Sequence, residues 1–388
     1  MKATEPVIPR ANKIGTHLCE NMPKRKRLRI GMLAPISWPM PPKSYGPWEQ
    51  VAYNLSEELV ERGHEVTVFA AGGSRVSGKL VVTCPHPLDM WPEPEKSKPR
   101  ALNPQTGFLE GPPDGVLYEE MHIAECLKMT AAGAFDIVHN HLHAHTLQFA
   151  DLVDTPLLTT LHGVAWNKAN HPALLARRHY PFVSLSNKER DFLPELNYVA
   201  TVPNGIVVEN FPLVADKDDY LLFAGRLAPE KGPAEAVELA RRTQRRLILA
   251  GMIEPQYRDY YQEKIAPFVD GKQIRYEGLM TQKQLAPLYQ RAAAVLFLLK
   301  WDEPFGLVAA EAQAAGTAIL AFPRGSMPEI VQDGKTGFLV GDMAQACEAV
   351  ERLRDIDPLA CRKNAEENFS AAVMTDKYET IYYSLSGK

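Results

Sequence analysis

Long apolar runs are missing from this chain: no stretch approaches the roughly 18 residues that a membrane-spanning helix needs, so none is a candidate span. The first residues are polar and hold no apolar signal core, so the chain is expected to work in the cytoplasm and not to be exported. Cysteine is scarce and scattered. Its five positions (Cys19, Cys84, Cys126, Cys347, Cys361) are odd in number and form no C-x-x-C, a pattern of free thiols rather than of a disulfide framework or a zinc site. Neither charge dominates: 43 Lys and Arg against 47 Asp and Glu give a net charge of -4, which lends no support to a nucleic-acid partner. Familiar catalytic signatures are also missing. There is no G-x-G-x-x-G, Walker loop, G-x-S-x-G elbow or H-E-x-x-H, so a nicotinamide cofactor, a serine nucleophile or a resident metal is not indicated.

What remains is an ordinary globular composition, 45% hydrophobic over 388 residues, long enough for two domains of about 190 residues with a core each. Residues 1–27 lack periodicity and end in the basic run Lys24 to Arg27. They are expected to be a mobile tail with weak contact to a membrane surface at most. LRIGMLA (28–34) reads as a buried strand. A helix should start at Pro47, with Trp48, Val51, Ala52, Leu55 and Leu59 on one face. EVTVFAA, KLVVTC, DIVH, PLLTTLH, PFVSLS and YVATV follow as strands, with a helix near Val116 to Thr130 and a proline-rich excursion from Pro85 to Pro113. The pattern restarts after Asp219 with LLFAGRL, RLILAG, IRYEG, AVLFLL, TAILAF and GFLV. Alternating strands and helices predict an α/β fold of two Rossmann-like doubly wound domains, 28–205 and 206–368, facing across a cleft. Residues 369–388 are expected to be a helix starting at Phe369 that packs back on the first domain, its tyrosines serving as packing. In such sheets ligands bind at the carboxyl ends of strands.

Candidate chemistry sits at those ends. The stretch Trp301 to Phe322 places Glu303 in a loop, Pro304 to Gly306 in a turn, and Glu311 on a helix. The free N–H groups near Phe305, Gly306 and Leu307 suit an anion. If the run were helical throughout, the two glutamates would lie roughly 12 Å apart. That exceeds the ~5 to 9.5 Å of hydrolytic carboxylate pairs, so they are expected to hold two parts of one long ligand. GRLAPEKG (225–232) puts Gly225 at a strand-to-helix bend, with Arg226 and Lys231 suited to a pyrophosphate. His139, His141, His143 and His145 alternate after a strand; a metal site, polar packing, and hydrogen bonding to a sugar are all open for them. His162 follows the strand TTL as a candidate active-site donor or acceptor.

With GRLAPEKG, EPFGLVAAEAQAAGTAILAF and GSMPEIVQDGKTGFLV in that order, the chain resembles the retaining glycosyltransferases of family 4, of GT-B architecture, over about residues 28 to 385. The resemblance implies that Glu303 contacts the donor sugar, Glu311 the ribose, and the Phe305–Leu307 backbone the sugar or diphosphate. It implies that Arg226 and Lys231, beside Gly225, neutralise the leaving diphosphate, and that Gly278 lies where backbone meets the base. His162 matches the histidine beside the reacting centre, and His141 a neighbouring acceptor-side position. Many members carry Gly-Gly where this chain has Gly46-Pro47; Pro47 offers no N–H, leaving Gly46 and Glu49 on the acceptor side.

The implied activity is metal-free transfer, with no cofactor, of a hexose from a UDP- or GDP-linked donor to an acceptor hydroxyl. A saccharide or another hydroxyl-bearing molecule is the expected acceptor. Two alternatives stand beside it: a nucleotide-sugar epimerase of the same architecture, and a non-catalytic sugar-nucleotide sensor or scaffold. On the acceptor side, Trp166 is a candidate stacking platform, and Arg177 and Arg178 are candidates for an acidic acceptor.

Overall fold

The structure, a computed structural model, describes residues 26–90, 115–142 and 144–388. Most of the expected tail, most of the proline-rich excursion and His143 therefore lie outside the described residues. Seven strands build the first sheet: β1 (Arg29–Leu33), β2 (Glu65–Ala71), β3 (Lys79–Cys84), β4 (Ile137–Asn140), β5 (Leu157–Thr160), β6 (Phe182–Ser184) and β7 (Tyr198–Thr201). Six build the second: β8 (Leu221–Ala224), β9 (Leu247–Ala250), β10 (Ile274–Gly278), β11 (Ala294–Phe297), β12 (Ala318–Ala321) and β13 (Gly337–Leu339). Every pairing is parallel.

The central strands read as unbroken apolar runs because helices cover both faces of each sheet. All four residues of β9, β11 and β12 are buried. The strand orders are β3-β2-β1-β4-β5-β6-β7 and β10-β9-β8-β11-β12-β13. Each order reverses once, between β1 and β4 and between β8 and β11. At a reversal the two connections leave to opposite faces, and a crevice opens beyond the strand ends. The loops after β1 and β5 meet those after β8 and β11.

The chain crosses between the two halves at two adjacent points. Ile206 donates to the Phe369 carbonyl (2.8 Å), and Ala371 donates back to the Ile206 carbonyl (2.8 Å). Gly205 is needed there: a Cβ would stand 2.7 Å from the Ala371 Cα and 2.8 Å from the Met374 Cβ.

The expected terminal helix from Phe369 is the helix Ala371–Ser386, and a further helix that was not expected, Pro358–Phe369, precedes it. Pro358–Phe369 ends in the second half, with Phe369 edge-on to Phe305 at 5.6 Å. Ser370 turns extended (ψ 150°) and its hydroxyl accepts the Val373 N–H, opening the helix Ala371–Ser386. That helix sinks Met374, Tyr378, Ile381 and Tyr382 into the first half against Val51, Leu55 and Leu59 of the helix Pro47–Glu61.

Candidate active site in the interdomain cleft

A cavity of about 410 Å³ lies where the strand ends of both sheets converge, and a second of about 160 Å³ adjoins it. Tyr45, Pro47, Gly225, Arg226, Leu307 and Val308 line both.

On the second-domain wall, Lys231 and Glu303 form an ion pair. The Trp301 indole N–H donates to Glu303 Oε2 (3.1 Å), and the Lys231 ammonium stands 4.5 Å from the centre of the Trp301 ring. Three groups from two separated loops thus hold one another at the mouth of the cavity. Arg226 is turned to Glu254 (2.7 Å) and Glu230 (3.3 Å). Gly306, at φ 89°, precedes the helix Leu307–Ala314 without any side-chain cap. The first N–H groups of that helix lack intrahelical acceptors by geometry, so the cleft meets a positive helix end.

Glu303 lies outside that helix, so the separation expected for an unbroken helical run does not apply. The two carboxylates instead occupy different lobes. Glu303 sits by Lys231 in the larger cavity. Glu311 is buried in the smaller one, accepting from Gln282 Nε2 (3.0 Å) and the Tyr289 hydroxyl (3.1 Å). Burial pushes the Glu311 carboxyl up to about 7, against the lowering effect of those two donors.

The first-domain wall is built around His162. It follows β5 in a left-handed conformation (φ 50°), buried, with its ring 5.8 Å from Trp48 at 26°. The four alternating histidines go to different places. His141 neighbours His162 in the first domain, its Nδ1 2.7 Å from His162 Nε2, but it is fully buried behind that ring and does not line the cavity. His139 is deeper, between the Tyr382 hydroxyl (2.7 Å) and the Thr160 hydroxyl (2.8 Å), its ring 4.1 Å from that of His141. Burial holds His139 well below the usual histidine range, hence neutral. His145 is at the surface on Glu119 (2.7 Å). Among the described residues no group of three or more His, Cys, Asp or Glu has the arrangement of a metal site.

Other expected positions divide. Gly46 lines the smaller cavity. Glu49 lines the larger one, yet its Oε1 accepts the Trp38 N–H (3.0 Å) and braces the loop after β1; burial pushes this carboxyl up to about 7. Gly278 accepts the Gly251 N–H (2.8 Å) and does not line the cavity; Leu279 and Met280 do. Trp166 is exposed at the rim, edge-on to Trp301 across the cleft at 5.5 Å, and is not part of the cavity wall. Arg177 is paired with Asp151 (2.7 Å), and neither it nor Arg178 is part of the cavity wall.

Sequence reasoning passed over Trp38, Tyr45, Asp89 and Trp301 as site residues, and Trp48 was read only as a helix face. All five line the larger cavity. Three aromatics within Trp38 to Trp48, in a loop leaving a first strand, were a usable signal.

Comparison with known proteins gives a consistent pattern. The family profile described as Glycosyl transferases group 1 matches residues 209–368, and that of Glycosyltransferase Family 4 matches residues 48–210. A glycogen synthase of Mycobacterium tuberculosis is 26% identical over 377 residues, covering 85% of this chain and 87% of that one. A D-inositol 3-phosphate glycosyltransferase of Corynebacterium diphtheriae is 25% identical over 395 residues, covering 85% and 87%. The crystal structure of Anabaena HepE in complex with UDP-glucose shares the fold, with a TM-score of 0.67 at 15% identity over 92% of this chain and 100% of that one.

Proposed function

The chain belongs to the family 4 glycosyltransferases of GT-B architecture, and on that premise we propose that it moves a hexose from a UDP- or GDP-linked donor to an acceptor hydroxyl with retention of configuration. The carrying observation is the Lys231–Glu303–Trp301 cluster at the cavity mouth, beside the uncapped helix at Gly306 and opposite His162.

In this reading the nucleoside fills the smaller cavity, with its ribose hydroxyls on Glu311. The diphosphate lies against Lys231, Arg226 and the first N–H groups of the helix Leu307–Ala314. Glu303 accepts hydroxyls of the donor sugar. The bond between the anomeric carbon and the diphosphate oxygen breaks as the acceptor oxygen bonds to that carbon from the same face. The acceptor proton passes to the departing phosphate, so no protein nucleophile is required. The cations and helix N–H groups oppose the charge that grows on the leaving oxygen, which is where stabilisation accelerates the step. The transfer needs neither metal nor cofactor in this scheme. The glycosyltransferase assignment favours this reading over an epimerase or a non-catalytic sensor, and the UDP-glucose held by HepE is consistent with the donor class.

Thermal unfolding with UDP, GDP, ADP and TDP, each with and without magnesium, tests it. A nucleotide at 100 times its Kd stabilises by about 2.7 kcal/mol, a shift of a few degrees. A shift with one nucleotide, unchanged by magnesium, is expected. No shift with any of the four in a cooperatively unfolding protein overturns the proposal.

A further inference from the structure

The larger cavity carries two features that the donor does not use. Its first-domain wall presents Trp38, Tyr45 and Trp48, with Trp38 and Tyr45 edge to face at 6.2 Å. Beside these rings stand two carboxylates from the same domain, Glu49 and Asp89. Of the lysines and arginines among the described residues, those that line the cavity are Arg226 and Lys231. Both come from the second domain, and both are held by carboxylates there. The acceptor's side of the cleft is thus aromatic and acidic.

We propose that the acceptor is an uncharged saccharide, its apolar ring faces resting on Trp38, Tyr45 and Trp48, and that Glu49 and Asp89 exclude phosphorylated acceptors. This rests on the glycosyltransferase reading and adds the class of its second substrate. A sugar ring offers C–H faces that suit indole and phenol surfaces, while its hydroxyls find the two carboxylates as acceptors. A phosphate brought to the same wall meets like charges without a first-domain lysine or arginine among the described lining residues to compensate, and such juxtaposition selects against a ligand more strongly than a missing contact does. It also competes with the donor's own diphosphate for Arg226 and Lys231.

The test uses the full-length protein saturated with whichever nucleotide raises its melting temperature, at about pH 8 so that Glu49 is ionised. Tryptophan emission is followed while matched pairs are titrated: glucose against glucose 6-phosphate, and myo-inositol against inositol 1-phosphate. The neutral member of each pair should bind at least about tenfold more tightly, and Asp89→Asn should narrow that gap. A phosphate ester that binds as tightly as its neutral partner overturns the proposal. So does an absence of response to either class in a protein that still binds nucleotide, and that outcome leaves the donor reading standing. Failure of every nucleotide to bind removes the donor reading itself, and with it this one.

Discussion

His141 Nδ1 lies 2.7 Å from His162 Nε2, so a proton on the line between them fixes which nitrogen of His162 is a donor. Behind that pair the His139 ring packs 4.1 Å from that of His141, and His139, Thr160, Tyr378 and Tyr382 form a second hydrogen-bonded group that reaches the helix Ala371–Ser386. Tyr378 and Tyr382 of the terminal helix thus pack in the first-domain core, as expected, with their hydroxyls bonded to Thr160 and His139.

His141→Ala is expected to lower kcat by up to about 100-fold through misplacement of His162, with donor affinity nearly unchanged. Comparing kcat and the donor's Kd in the variant checks this; equal losses in both would assign His141 to general stability instead.

Lys231→Ala should slow transfer by roughly 100- to 1,000-fold, as expected for removal of one group that stabilises a leaving oxyanion. Trp301→Phe keeps a ring under Lys231 but removes the N–H to Glu303. It should therefore fall between wild type and Trp301→Ala. Steady-state rates of the three variants give the order.

Donor binding should strengthen as pH rises through about 7, because ionised Glu311 is the better acceptor for ribose hydroxyls. The sign for stability is opposite. The folded carboxyl titrates at about 7 and the unfolded one near 4.5. The native state therefore holds more protons across that window, and stability falls as pH rises through it, by up to about 3 kcal/mol. Glu311→Gln should flatten both profiles, read by calorimetry with an intact nucleotide sugar and by urea unfolding at several pH values.

Gly205→Ala should destabilise the protein by about 1–3 kcal/mol, since the added methyl meets Ala371 and Met374 where the chain crosses between domains. Urea denaturation measures it, and a loss below about 0.5 kcal/mol would show that the crossing relaxes freely.

The strands were readable because a parallel sheet covered on both faces needs continuous apolar runs, and β9, β11 and β12 are such runs. The helix Pro358–Phe369 was passed over although Asp357 and Pro358 are a start signal; the Asp357 side chain accepts the Leu359 N–H at 2.9 Å. The boundary expected at Phe369 falls one residue before the break at Ser370, where the two helices bury their apolar residues in different domains.

By itself the sequence determined the two-sheet architecture and the loops that carry Arg226, Lys231, Glu303 and His162, because strand patterning and turn residues act over a few neighbours in the chain. Only the tertiary structure decided which side chains pair. Lys231 and Glu303 are 72 residues apart, and His139 and Tyr382 are 243 apart. Such partners are chosen by the strand reversals that open the cleft and by the terminal helix crossing back, neither of which leaves a local pattern. The tertiary structure also brought Trp38, Tyr45, Trp48, Glu49 and Asp89 of the first domain and Arg226 and Lys231 of the second to the lining of one cavity.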